Sequence, residues 1–203
     1  AGATESINLT FSAASKSDGD EILVAEFEHH SVLRASEKFG ISKKIKILPN
    51  GIVDLEDLKA KITPQTKIVS VMLANNETGI IQPIAKIAEI IRAEKMRRLQ
   101  NGETRQILLH SDASQGVGQL DVSVARLGVD MLTLNAGKIY GPKQIGALWA
   151  NREIIFEAQI VGGGQERGLR SGTENVAGTV GFAKAIQLAE KHRKKEVERL
   201  RKI

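Results

Sequence analysis

Two residues of opposite character close two apolar segments. The run Met131-Leu132-Thr133-Leu134 ends at Asn135-Ala136-Gly137, and Lys138 follows. Twenty-six residues upstream, Asp112 stands just after Ile107-Leu108-Leu109-His110. A lysine and an acid at the carboxyl ends of two sheet strands can hold an aldehyde cofactor. The amine forms a Schiff base, and the carboxylate pairs with a pyridinium nitrogen. That pairing points to pyridoxal phosphate.

Four other segments carry polar groups at comparable breaks in the chain. Gly2-Ala3-Thr4-Glu5 opens a helix with small residues and a hydroxyl, which suits a phosphate, although an ordinary helix cap reads the same way. Glu28-His29-His30-Ser31 offers an imidazole that could stack on a flat ring or move a proton. Adjacent histidines face apart on a helix or strand, so a chelating pair is not expected. In Ala74-Asn75-Asn76-Glu77-Thr78-Gly79 the amides could bond a ring oxygen or simply form a turn. In His110-Ser111-Asp112-Ala113-Ser114-Gln115, Gln115 stands three residues beyond the acid. The glycine-rich stretch 162–173 adds Arg170, which could fork a substrate carboxylate, and Thr173, which could donate to a phosphate. Each segment alone also fits a turn, a cap or a mobile loop. Their recurrence at successive strand ends favours the chemical reading.

The elements that must position these groups follow from the hydrophobic pattern. Segments 21–25, 44–48, 68–73, 106–110, 130–134 and 145–150 are short, rich in Ile, Val and Leu, and predicted as strands. Helices are predicted from near Glu5, over 31–38 and 53–61, and after Pro83 with Ile84, Ile87, Ala88, Ile91 and Leu99 on one stripe. A long terminal helix begins with Val176, Val180, Ala183, Ile186, Leu188 and Ala189 and continues into a basic tail. Strands alternating with helices predict an α/β fold, three layers deep, with a mostly parallel central sheet. Ligands of such sheets sit beyond the carboxyl ends of the strands. Residues 95–105 read as an exposed polar excursion containing an Asn-Gly turn.

Bulk composition narrows the function classes. The chain has 203 residues, 41% hydrophobic, enough for one domain with a substantial core. It contains no cysteine, which excludes disulfides and thiolate metal sites within these residues and favours a cytoplasmic protein. No segment has the length and apolarity of a membrane span. The net charge of +5 is local: residues 191–202 hold seven Lys/Arg and two Glu, and the remainder balances. Interleaved glutamates mark this tail as a solvated helical face rather than a nucleic-acid surface.

The stretches GATES, EHHSVL, NNETGIIQP, HSDASQ, GKIYGPK, IGALW and GGGQERGLRSGTENV resemble the cysteine desulfurases, within the class V aminotransferase group of fold-type I pyridoxal-phosphate enzymes. They occur in order along the whole chain. The resemblance implies that Ala3 and Thr4 contact the cofactor phosphate and that His29 stacks on the ring. Asn76 and Gln115 would lie near the ring oxygen, and Asp112 would keep the ring nitrogen protonated. Lys138 would carry the cofactor and move protons. Thr173 would reach the phosphate of a neighbouring subunit's cofactor, so a homodimer is implied. The implied substrate is L-cysteine. The implied products are alanine and an enzyme persulfide, which passes sulfur to an acceptor protein for iron–sulfur clusters or thiolated RNA. A selenocysteine lyase or class V aminotransferase, or a non-catalytic dimerising scaffold, are the alternatives.

Three departures accompany the resemblance. The family pattern before the lysine is Ser-x-His-Lys, whereas this chain has Asn135-Ala136-Gly137-Lys138. Asn135 can still bond a phosphate oxygen but Gly137 cannot, so weaker cofactor binding is expected. The chain is expected to be a cofactor-binding large domain, residues 1–203, cut at both ends, with 175–203 leading towards a further domain. The family's persulfide-carrying cysteine and substrate-binding arginine belong to that later part. These residues alone are therefore expected not to complete desulfuration.

Overall fold

The computed structural model describes residues 1–13 and 19–202. Residues 14–18 and 203, which fall within the expected 1–203 domain, lie outside the described residues. Six strands form one sheet: β1 (Glu21–Ala25), β2 (Ile41–Ile45), β3 (Thr66–Ser70), β4 (Leu108–Asp112), β5 (Met131–Asn135) and β6 (Gly146–Ala150). Their order is β2-β1-β3-β4-β5-β6, parallel throughout except for the antiparallel pair β5–β6.

Alternation along the strands divides the core between the two faces, because successive side chains point to opposite sides. Ile22, Val24, Ile68, Leu108 and Met131 pack with Ile7 and Phe11 of α1 (Ala3–Ser12) and with Val32 and Ala35 of α2 (His30–Phe39). Leu23, Val69, Leu109 and Leu132 face the other way. They meet Leu58 of α3 (Leu55–Lys61), Ile84, Ile87 and Ile91 of α4 (Ile84–Gln100), and the short α5 (Val124–Leu127). The three-layer α/β/α expectation holds. The terminal helix α6 (Val176–Leu200) lies against a smaller cluster of Val117, Ala136, Ile139 and Phe182.

Several boundaries and faces differ from the sequence expectation. The second strand is Ile41–Ile45 rather than 44–48, the third ends at Ser70 rather than 73, and the fourth runs on to include Asp112. Strand 2 lies at the sheet edge, where only Ile45 is buried, so hydrophobicity gave little register information. On α4, Leu99 is 71% exposed while Arg98 is only 2% exposed. The guanidinium of Arg98 donates to the carbonyls of Thr63, Thr66 and Arg105 and pairs with Glu94. A long cation that satisfies several buried carbonyls outcompetes leucine at that position. Residues 95–100 are therefore the end of α4 rather than an exposed excursion, and the turn begins at Asn101. On α6 the buried seam runs through Phe182, with Ala185, Ile186 and Ala189 packed behind it. Val176, Val180 and Leu188 stay exposed.

Candidate active site

The carboxyl ends of the strands carry the site. Asp112 is the last residue of β4, and Asn135 is the last of β5. A 3-10 turn, Ala136–Lys138, then sets Lys138 beside the end of β4. The Asn135 side chain caps that turn by accepting the Gly137 N–H at 3.0 Å. Asp112 accepts the Ser114 N–H at 2.9 Å, which turns the chain so that Gln115 comes back to the strand end. Both residues thus make local turn bonds and also face a shared space.

That space is a cavity of about 100 Å³. Asp112, Lys138, Asn135 and Gln115 line it, as do Ala3 and Thr4 from the start of α1. His29, at the N-cap of α2, and Asn76, from the loop after β3, complete the set. Eight of the nine residues singled out from sequence thus converge on one cavity. Thr173 does not: it is exposed and lies outside it. Sequence reasoning gave no role to Met72 and Ser31, which also line the cavity.

The amide pair after β3 divides its labour. Asn75 is buried and its Oδ1 accepts the N–H groups of Glu77 and Thr78, so it is the turn residue. Asn76 is exposed and reaches the cavity. His29 caps α2 through Nδ1, which accepts the Ser31 N–H at 3.1 Å. In the neutral ring this leaves the proton on Nε2. The His29 and His30 rings stand 6.5 Å apart at 64°. Arg170 donates to Glu5 at 2.8 Å and to the Ser171 carbonyl, so its fork braces the glycine-rich stretch against α1 rather than awaiting a carboxylate.

Electrostatics set the acid apart. Burial pushes the Asp112 carboxyl above the ordinary carboxylate range, opposed by the Ser114 N–H and by the charges of His29 and Lys138. No ion pair neutralises Asp112 or Lys138 among the described residues. Behind the site, Glu28 is buried. Its Oε1 accepts the Met72 N–H at 2.6 Å, while its Oε2 has no hydrogen-bond partner among the described residues. Burial raises its pKa well above the usual range, and the nearby Asp112 charge adds to this. His110, two residues before Asp112, is fully buried between Ser70 and Thr133 at 2.8 and 2.9 Å. Burial lowers its pKa to about 3, so it stays neutral.

An α/β sheet that gathers a buried acid, an imidazole and an unpaired lysine at its carboxyl edge has the architecture of the fold-type I pyridoxal-phosphate enzymes. A NifS-like protein superposes with a TM-score of 0.85 at 34% identity, covering 96% of this chain and 53% of that one. The aminotransferase class-V family matches residues 1–202, and the chain belongs to that family. Cysteine desulfurase IscS 1 of Archaeoglobus fulgidus is 43% identical over 209 residues, covering 100% of this chain and 52% of that protein. A structure described as SspA in complex with cysteine superposes with a TM-score of 0.77 at 30% identity, covering 92% of this chain and 53% of that one. The chain spans about half the length of the curated relatives it matches.

Proposed function

We propose that this chain is the cofactor-binding large domain of a pyridoxal-phosphate-dependent cysteine desulfurase. The observation that carries the proposal is the convergence of Asp112, His29, Lys138, Asn135 and Thr4 on one cavity. The chain's likeness to named cysteine desulfurases supports it. The reaction would convert L-cysteine to L-alanine, with sulfur passed to an enzyme persulfide and then to an acceptor protein. The cysteine complex recorded for the SspA relative supports that substrate. The 203 residues contain no cysteine, so they do not themselves supply the persulfide thiol. A cytoplasmic homodimer is part of the proposal. Exposed Thr173 would serve the partner's site, and among the described residues no helix is long and apolar enough to cross a membrane.

The residues present fit the cofactor. Asp112 is a buried carboxyl with no cation paired to it among the described residues, which suits a protonated ring nitrogen. Pyridoxal phosphate, when bound, supplies an electron sink that labilises bonds at the α-carbon of an amino acid. Asp112 would keep the proton on the ring nitrogen. His29 would cover the ring, oriented by its bond to Ser31. Asn76 and Gln115 would hydrogen-bond the ring oxygen. Asn135 and Thr4, with the α1 backbone N–H groups that no side chain caps among the described residues, would bind the phosphate. The Lys138 amine would hold the cofactor and move protons on the substrate carbon.

The test is to add pyridoxal phosphate to the purified protein, reduce with borohydride and map the labelled peptide. Label on Lys138, absent from Lys138→Ala, is expected. Label spread over surface lysines, or equal labelling of the variant, would overturn the assignment.

A further inference from the structure

A second cavity adjoins the first, and Ala3, Thr4, Asn135 and Lys138 line both. Its outer wall is formed by Gly137 and Lys143. Among the described residues no aspartate or glutamate lines it. Neither Lys138 nor Lys143 forms an ion pair or hydrogen bond among the described residues. Two cations that line one space repel each other, and an anion between them relieves that repulsion.

The path of the chain brings Lys143 there. Tyr140 and Gln144 both hold left-handed backbone, at φ 60° and 59°, on either side of Gly141-Pro142-Lys143. Non-glycine residues keep this conformation only where their surroundings enforce it. Gly141 is part of that enforcement: a Cβ there would lie 3.0 Å from the Ala136 carbonyl oxygen and 3.1 Å from Ala185 of α6. The stem of Lys143 then passes the bare face of Gly137. A Cβ at position 137 would sit 3.9 Å from Lys143 Cδ and 3.4 Å from Asn135 Oδ1. Lys143 thus lies within van der Waals contact of the position where a side chain at 137 would begin.

We propose that Lys143 is a phosphate-binding residue of this site, supplying a cation where Gly137 has no side chain to offer. The proposal rests on the cofactor reading above and extends it to a residue that reading does not use. On this proposal Lys143 would offset part of the loss of cofactor binding expected from Gly137.

The experiment compares pyridoxal phosphate with pyridoxal, which has the same aldehyde and no phosphate. Spectral titration gives the dissociation constant of each for wild type, Lys143→Gln and Lys143→Arg, with thermal melts to check folding. Lys143→Gln is expected to weaken pyridoxal phosphate about tenfold and leave pyridoxal unchanged. Lys143→Arg is expected to retain most of the affinity, and inorganic phosphate should compete less well against the cofactor in Lys143→Gln. Equal effects on both aldehydes, or on neither, would overturn the role of Lys143 and leave the cofactor reading intact. If wild type binds neither aldehyde, the cofactor reading fails, and the Lys143 proposal fails with it.

Discussion

The two ends of the sheet make a useful contrast. At the amino ends of the strands lies a cavity of about 250 Å³, larger than the one that holds Asp112. Most of its charged lining is already satisfied, Glu153 excepted. Lys95 pairs with Asp130, whose Oδ2 also accepts the Leu109 N–H. Arg105 pairs with Asp20, and Arg98 is bonded to three carbonyls and Glu94. At the carboxyl ends, Asp112 and Lys138 line a smaller cavity with no ion pair between them or to any other described residue. What sets the site apart is a buried acid and a lysine that face one space without pairing. Charges at the amino end hold the fold together, and those at the carboxyl end are kept available for a ligand.

Removing a charge from each end should have opposite consequences. Arg98→Ala strands three carbonyls and leaves Glu94 with Arg97 alone, and should cost about 3 kcal/mol of stability, read from denaturant melts, with cofactor affinity unchanged in the folded fraction. A small stability loss would mean that the amino-end network is dispensable. Asp112→Asn should do the reverse. The melting midpoint without cofactor should not fall, because burial already disfavours the charge. Affinity for pyridoxal phosphate should drop about tenfold or more. A variant that unfolds easily yet binds normally would put Asp112 with the structural charges.

A third prediction concerns Glu28, the buried acid behind the site. Its pKa is raised in the folded protein, so its contribution is fully present below the unfolded value near 4.5 and is lost as pH rises towards the folded value. Glu28→Gln keeps the acceptor for the Met72 N–H and removes the titration. The variant should therefore gain on wild type by about 1.4 kcal/mol per pH unit across that window. Parallel stability–pH curves for the two proteins would refute this. The smallest effect is expected far from either end. Arg199 pairs with Glu196 on the solvated tail of α6, and Arg199→Ala should leave the melting midpoint unchanged within error. A measurable shift would show that the tail does more than keep itself solvated.

Much of this contrast was legible in the chain. The alternation of short apolar runs with helical stripes yielded the layered α/β fold, and polar groups at strand ends marked Asp112, Lys138, His29 and Asn135. These signals are local, since strand ends and turn residues declare themselves within a few positions. Other features were not legible. Nothing in Asn75-Asn76 says which amide makes the turn and which reaches the cavity, because that depends on where the Phe27 carbonyl and the Met72 sulfur lie. Arg170 looked available until folding placed Glu5 beside it.

The sequence by itself determined the period of each element, the chemistry of each strand end, the absence of cysteine and the neutral balance of everything before the basic tail. These are properties of residue type and short-range spacing, so no distant partner could alter them. Tertiary structure decided which strands are neighbours, that Arg98 rather than Leu99 turns inward, that Arg170 is engaged and that Lys143 passes the bare face of Gly137. Each of those outcomes depends on a partner from elsewhere in the fold. A charged side chain takes up a buried position only once folding has put the matching carbonyl, carboxylate or cavity within reach.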